Sequence, residues 1–318
     1  MARCNVICCG RRGRTKHTED SHRKRTLGQG ICSLQVKFPS IFCCRNTCIP
    51  KNGGNFMPRI IVCIKYAIDV SQVKVDSATR KLLTADAPRK ISDFDENALE
   101  EAVKIKTKYG GEVIVLTATA ENASTALREA LAMGADKAIQ IQDPKIQNAD
   151  TMIISNILAK AIRKVGSFDI ILCGEASIES YSGQVGPRLA EVLGVPIVTY
   201  VSKVNLEGNT FTVERRLEDC SEVIMVNTPV LLTVTKEINV PRVPTLMDII
   251  KASKKELLTW TLEDIGVKGE EIATPSIRVI DVSAPKIERK KIKISGESPK
   301  EIAENLVKAL IQEGVIGG

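Results

Sequence analysis

The sequence predicts an α/β protein: a mostly parallel, doubly wound sheet, extended by antiparallel strands and followed by an arm and a terminal helix. Three observations predict it. Short apolar runs such as Arg59–Lys65 (RIIVCIK) and Glu112–Thr117 (EVIVLT) alternate with amphipathic segments, the pattern of a parallel sheet covered on both faces. Beyond residue 198 the pattern changes to four closely spaced strand-like runs joined by short turns, which reads as an antiparallel block. Beyond residue 263 the chain turns polar and Pro-marked before one last amphipathic stretch.

In order, Arg59–Lys65 is a strand, and Val73–Val75 and Lys81–Leu83 flank a polar turn as a hairpin. Ser92–Tyr109 is a helix that Asp93 or Asp95 can cap. Glu112–Thr117 is the next strand, Ala123–Met133 a helix closed by Gly134, and Lys137–Ile141 a third strand. Asp150–Val165 is a helix, Phe168–Cys173 a fourth strand and Gln184–Leu193 a helix. Thr199–Val204, Thr210–Glu214, Glu222–Val226 and Val230–Val234 form the antiparallel block. The loop Asn239–Pro244 leads to a short helix, Thr245–Ser253. Residues 264–297 form an extended arm, and residues 298–314 a helix capped by Ser298 and stopped at Gly314.

Composition separates residues 1–56 from the rest. They hold eleven Lys/Arg against two acidic residues, seven of the ten Cys and both His, His17 and His22. The remaining 262 residues carry 34 basic and 36 acidic groups, so the overall charge of +7 comes from the leader and is no argument for nucleic-acid binding. The leader lacks a signal-peptide apolar core. Its adjacent pairs Cys8-Cys9 and Cys43-Cys44, without a CxxC, do not space as zinc ligands. Gly53-Gly54 two residues ahead of Met57 matches what a ribosome-binding sequence would encode. We therefore expect Met57 to be the first residue of the native protein and 1–56 a non-native or disordered extension. Three isolated thiols after Met57 (Cys63, Cys173 and Cys220) fit a reducing, cytoplasmic compartment. The absence of His there removes the commonest general base, and no apolar run approaches the roughly 18 residues of a membrane span.

The segment Cys173–Thr199 carries the chemistry. A buried strand ends at Cys173-Gly174 and hands over, through Ser180-Tyr181-Ser182-Gly183-Gln184-Val185-Gly186, to a helix. Such a junction leaves backbone N–H groups free for a phosphate. The loop is neither a Walker A sequence nor GxGxxG, and its bland alternative is an ordinary glycine-rich connection. Arg188 can reach a phosphate or be a surface charge, Glu179 can accept from a ribose hydroxyl or act as a cap, and Tyr181 can stack on a ring or face solvent. No catalytic triad, metal cluster or acid/base pair is visible. Parallel-sheet geometry gathers Cys63, Thr117-Ala118 and Cys173-Gly174 around one crevice.

Three segments together resemble a known family: PRIIVCIKYAIDVSQVKVD from Pro58; ISDFDENALEEAVKIK with ALREALAMGADKAIQI; and GEASIESYSGQVGPRLAEVLGVP with the stretch from Val213 to Lys255. From Met57 onward the chain resembles the β subunit of electron transfer flavoprotein, in the branch that includes FixA and archaeal forms. The resemblance implies a Rossmann-like domain over 57–262 and, over 263–318, an arm and helix that contact an α subunit in a heterodimer. It implies FAD shared with that subunit, and AMP or a second FAD in the β subunit's own crevice. It implies an electron carrier without catalytic side chains, linking a dehydrogenase donor to a quinone-reductase-type acceptor. Carried over by position, the cofactor-binding residues would be Cys63, Ser92, Phe94, Asp95, Thr117, Ala118, Gly174, Glu179, Ser182, Gly183, Gln184, Val185 and Gly186. Pro241, Leu246, Lys251, Lys254 and Lys255 would form the docking loop for partner proteins. The chain departs from the family where Tyr181 replaces an Asp, Ser182 a Thr and Ser92-Asp93 a common Asn-Pro. The alternative reading is a stand-alone adenine-nucleotide-binding regulatory domain. An ATP-using ligase or pyrophosphatase of the same architecture is a third and would show ATP turnover.

Overall fold

A computed structural model describes residues 6–8, 33–34, 56–272, 275–277, 279–286 and 289–316; the proposed leader otherwise lies outside the described residues. The chain divides into two units: Met1–Lys74 with Leu83–Ile280, and Val75–Leu82 with Asp281–Gly318.

The strands, in chain order, are β1 (Val6–Cys8), β2 (Ser33–Leu34), β3 (Arg59–Cys63), β4 (Tyr66–Ile68), β5 (Lys74–Val75), β6 (Leu82–Leu83), β7 (Arg89–Ile91) and β8 (Glu112–Thr119). They continue with β9 (Lys137–Gln142), β10 (Ile170–Gly174), β11 (Ile197–Glu207), β12 (Thr210–Arg216), β13 (Ser221–Asn227), β14 (Val230–Val234) and β15 (Glu256–Trp260). The helices are α1 (Asp93–Tyr109), α2 (Ser124–Met133), α3 (Thr151–Val165), α4 (Val185–Leu193), α5 (Leu246–Ser253) and α6 (Pro299–Gln312).

The main sheet runs β15-β9-β8-β3-β10-β14-β11-β12-β13-β1-β2. It is parallel from β15 through β11 and antiparallel from there on. Alternation along β3 shows why both faces are buried. Ile60 and Val62 join the core under α1 and α2, while Ile61 and Cys63 join the core under α3 and α4. Successive side chains of a strand point to opposite faces, so an unbroken apolar run needs helices on both sides.

Two strands differ from expectation. Val230–Val234 is not part of the antiparallel block; it runs parallel between β10 and β11. All five of its residues are buried, and a run with no polar alternation belongs in the sheet centre rather than in a half-exposed ribbon. Glu256–Trp260 forms a parallel edge strand on β9 that the sequence pattern did not reveal. The hairpin Tyr66–Ile68 with Arg89–Ile91 was also not foreseen.

Helix α1 is not capped by Asp93 or Asp95. Ser92 holds the N-cap position without a side-chain cap bond. Asp93 pairs with Lys90 at 2.6 Å, and Asp95 is drawn into the loops described below. Helix α5 does carry a capping box, between Thr245 and Asp248.

In the second unit, Lys81 bridges Ser283 and the Ala284 N–H donates to the Arg80 carbonyl at 2.9 Å. Helix α6 begins with Pro299 after the Ser298 cap, whose hydroxyl accepts from Glu301 N–H at 3.2 Å. Ile302, Leu306, Val307 and Ile311 on this helix are exposed.

Candidate functional site

Strands β3, β8 and β9 step to one side of the sheet, and β10 then lies on the other side of β3. At such a reversal the connecting loops part and leave a crevice at the carboxyl ends of the strands. A cleft of about 1340 Å³ opens there, reached by residues that follow β3, β8 and β10 and by the start of α4.

The α4 mouth gathers free backbone donors. The N–H groups of Ser182, Gly183, Gln184, Val185 and Gly186 find no acceptor among the described residues, and the helix dipole adds positive potential there. Two glycines make the approach possible. Gly183 sits at φ +62°, and a Cβ on Gly186 would stand 2.5 Å from Thr233 Cγ2. With hydrogen at that position, α4 can lie close against β14 with its N-terminus aimed into the cleft.

Cys63, Asp95, Ala118, Gly174, Glu179 and the run Ser182–Gly186 all line this cleft. Ser92, Phe94 and Thr117 do not. Ser92 is buried, and its hydroxyl accepts from Ile178 N–H at 3.2 Å, which braces the loop from behind. Phe94 meets the Tyr181 ring edge-on at 5.7 Å. Thr117 is buried with an unpartnered hydroxyl. Arg188 lies off the cleft, and the Tyr181 hydroxyl donates to Glu175 at 2.9 Å.

Asp95 is a clamp. Its carboxylate accepts from Lys65 N–H at 2.8 Å and Gly174 N–H at 2.9 Å, tying the chain after β3 to the end of β10. Burial pushes its carboxyl up to about 7, against the pull of these two N–H groups. Glu179 makes a second tie. It accepts from Ile68 N–H at 2.9 Å and pairs with the Lys65 ammonium. The neighbouring Cys63 side chain, together with burial, pushes the Cys173 thiol well above its ordinary value.

Sequence reasoning missed part of the wall. Tyr66, Arg89, Lys145 and Asp150 line the cleft, as do Ile272 and Ile277. Asp150 caps α3 with one oxygen and accepts from Ser276 N–H at 2.6 Å with the other. The cap was legible from an Asp ahead of an amphipathic run. The reach to residue 276 has no local signal.

The loop Asn239–Lys255 forms a second region. Asn97 donates to the Asn239 carbonyl at 2.9 Å, and Asn239 donates to Glu101 at 3.0 Å. Glu100 accepts from Arg242 Nε at 2.7 Å and from a terminal guanidinium N–H at 3.0 Å. Asn97 and Glu100 are buried. On this base stand exposed apolar side chains, with Val243 at 89% and Leu246 at 73% exposure. Pro241 is half-buried, and Lys251 and Lys254 face solvent. Lys255 turns inward instead, its ammonium donating to the carbonyls of Leu131 and Ala135 at 2.9 and 2.6 Å; burial pulls its pKa down.

The architecture defines a doubly wound, Rossmann-like α/β protein with a crevice at the carboxyl ends of its parallel strands. The electron transfer flavoprotein domain matches residues 79–265. The electron transfer flavoprotein subunit beta of Thermoanaerobacterium thermosaccharolyticum is 46% identical over 67% of this chain and 82% of its own length. That of Bacillus subtilis is 37% identical over 81% and 99%. Subunit CarD of the caffeyl-CoA reductase-Etf complex of Acetobacterium woodii is 41% identical over 67% and 81%. The chain belongs to the electron transfer flavoprotein family, among its beta subunits.

Proposed function

We propose that this chain pairs with an α subunit as an electron transfer flavoprotein, and that its cleft binds an adenine nucleotide, AMP or a second FAD. The observation that carries this reading is the row of five unpartnered N–H groups at the α4 mouth, inside a cleft large enough for a nucleotide. Backbone donors of Ser182–Val185 would hold the phosphate, while Asp95 and Glu179 keep the loops around it in register. The cleft, at about 1340 Å³, has room for either ligand.

FAD, when bound, supplies the redox chemistry; the chain's own residues bind, orient and exclude water. The docking loop, led by Leu246, would meet a dehydrogenase donor and then a quinone reductase or other acceptor. Helix α6, with its exposed apolar stripe, would contact the α subunit. No helix among the described residues is long and apolar enough to cross a membrane, and we place the protein in the cytoplasm.

The test is co-expression with its α partner, followed by flavin-to-protein stoichiometry and mass spectrometry of extracted nucleotides. Two FAD and no AMP per heterodimer would indicate a second redox-active flavin, and one FAD with AMP simple transfer. A colourless homodimer carrying ATP would defeat the proposal in favour of a stand-alone regulatory domain.

A further inference from the structure

Strands β3 and β10 are parallel neighbours, and Cys63 and Cys173 stand directly opposite each other in register. Residues opposed in this way project to the same face of the sheet, here the face under α3 and α4. Both thiols are free, buried by the protein around them, and in the floor of the cleft. Neighbouring strands lie about 4.8 Å apart, within the Cα separation of roughly 4.4–6.8 Å that a disulfide spans.

We propose that Cys63 and Cys173 act as one dithiol, a site of reversible disulfide formation by small-molecule disulfides, and that a nucleotide in the cleft guards it. The first step is attack of the Cys63 thiolate on one sulfur of a small disulfide, RSSR. One RS⁻ leaves and takes up a proton, and Cys63 carries the mixed disulfide. Cys173 then loses its proton to solvent and attacks the Cys63 sulfur, expelling the second RS⁻, which is protonated in turn. Two protein thiols are oxidised and one RSSR is reduced to two RSH.

The position gives the reaction a consequence. Gly174 directly follows Cys173, Lys65 lies two residues beyond Cys63, and the N–H groups of both are held by Asp95. A bond between the sulfurs would lock the two strand ends beneath that clamp and alter the floor on which a nucleotide rests. The raised Cys173 pKa keeps that thiol protonated at neutral pH, so formation is slow there and accelerates in alkali.

The guarding rests on the nucleotide reading; formation of the bond does not. The experiment treats the purified protein, together with any chain that co-purifies, with oxidised glutathione after nucleotide removal. Peptide mapping then follows. A Cys63–Cys173 linked peptide, reversed by dithiothreitol, is expected. Added AMP or FAD at about one hundred times its dialysis-measured Kd leaves about one chain in a hundred unguarded, so the linking rate should fall about 100-fold. Mixed disulfides alone, or links to Cys220, would overturn the dithiol. An unchanged rate with nucleotide demonstrably bound would overturn the guarding. Dialysis that finds no nucleotide bound fails the nucleotide reading, and the guarding with it, while the linked peptide still decides the dithiol. The Cys63→Ser variant, confirmed folded by its own cooperative thermal transition, should yield no link.

Discussion

The α4 mouth and the Asn239–Lys255 loop use polar backbone and side chains in opposite ways. At the mouth, Ser182 to Gly186 present N–H groups that lack acceptors. Under the Asn239–Lys255 loop, Asn97, Glu100 and Glu101 leave Asn239 and Arg242 with well-placed partners. Of those five residues only Gly186 is buried, so the donors of the first region stay open to solvent or a ligand instead of being satisfied within the fold. The second is complete by itself and holds Val243 and Leu246 out to solvent. One region leaves backbone donors free; the other is a closed base that holds an apolar surface out to solvent. Helix α1 serves both, with Asp95 clamping the cleft and Glu100 fastening the loop.

The largest expected effect is at Gly174. A Cβ there would stand 2.6 Å from Phe94 Cβ, 2.7 Å from Asp95 Oδ1 and 2.8 Å from the Phe94 carbonyl carbon. Backbone cannot give way as a flexible side chain does, so Gly174→Ala should cost about 3 kcal/mol and release the Asp95 clamp. Thermal unfolding and nucleotide retention would both fall, and an unchanged melting curve would refute the close packing assigned to this junction. Leu246→Ala should weaken partner binding by about 2 kcal/mol, roughly 30-fold, if the exposed Leu is a hot spot. Its thermal transition should stay at the wild-type value, because the side chain is exposed. A partner affinity within twofold of wild type would remove the docking role from this residue.

Glu100→Gln sharpens the contrast further. It keeps the shape but loses a charge-assisted contact to Arg242, at about 1–2 kcal/mol. Electron transfer with a partner should slow while bound flavin and nucleotide stay constant, because the loop and not the cleft is loosened. Coupled loss of nucleotide would show that the two regions are not separable.

The last test is a pH slope. The Asp95 carboxyl titrates at about 7 in the fold and near 3.8 in the unfolded chain. Between those values the folded state binds more protons, so this group makes stability fall as pH rises through the window and adds no slope above it. Melting temperature measured from pH 4 to 8 should decline less in Asp95→Asn than in the parent. That variant also gives up one of the two N–H contacts, because an amide has only one acceptor oxygen. Identical slopes would place the titration on another group, such as Glu96, which burial also pushes up to about 7.

Much of this was legible in the chain. Apolar runs interleaved with amphipathic segments are direct consequences of burial on two faces, so strands β3, β8, β9 and β10 and helices α1 to α4 follow from local pattern. The glycine- and serine-rich junction at 180–186 was legible for the same reason, since freedom of backbone and absence of Cβ are properties of single residues. The place of Val230–Val234 was not. A two-residue link after Asn227 suggests a hairpin, yet complete burial of VLLTV is satisfied only between two other strands, and that competition is settled by the whole sheet. The Asp95 clamp, the turning-in of Lys255 and the reach of Asp150 to Ser276 were equally silent. Each depends on which distant backbone donors or acceptors need a partner. Local sequence encodes what each residue can bury and which backbone shapes it tolerates. Which buried polar group meets which comes from long-range packing, because hydrogen-bond partners are assigned only once the elements have come together.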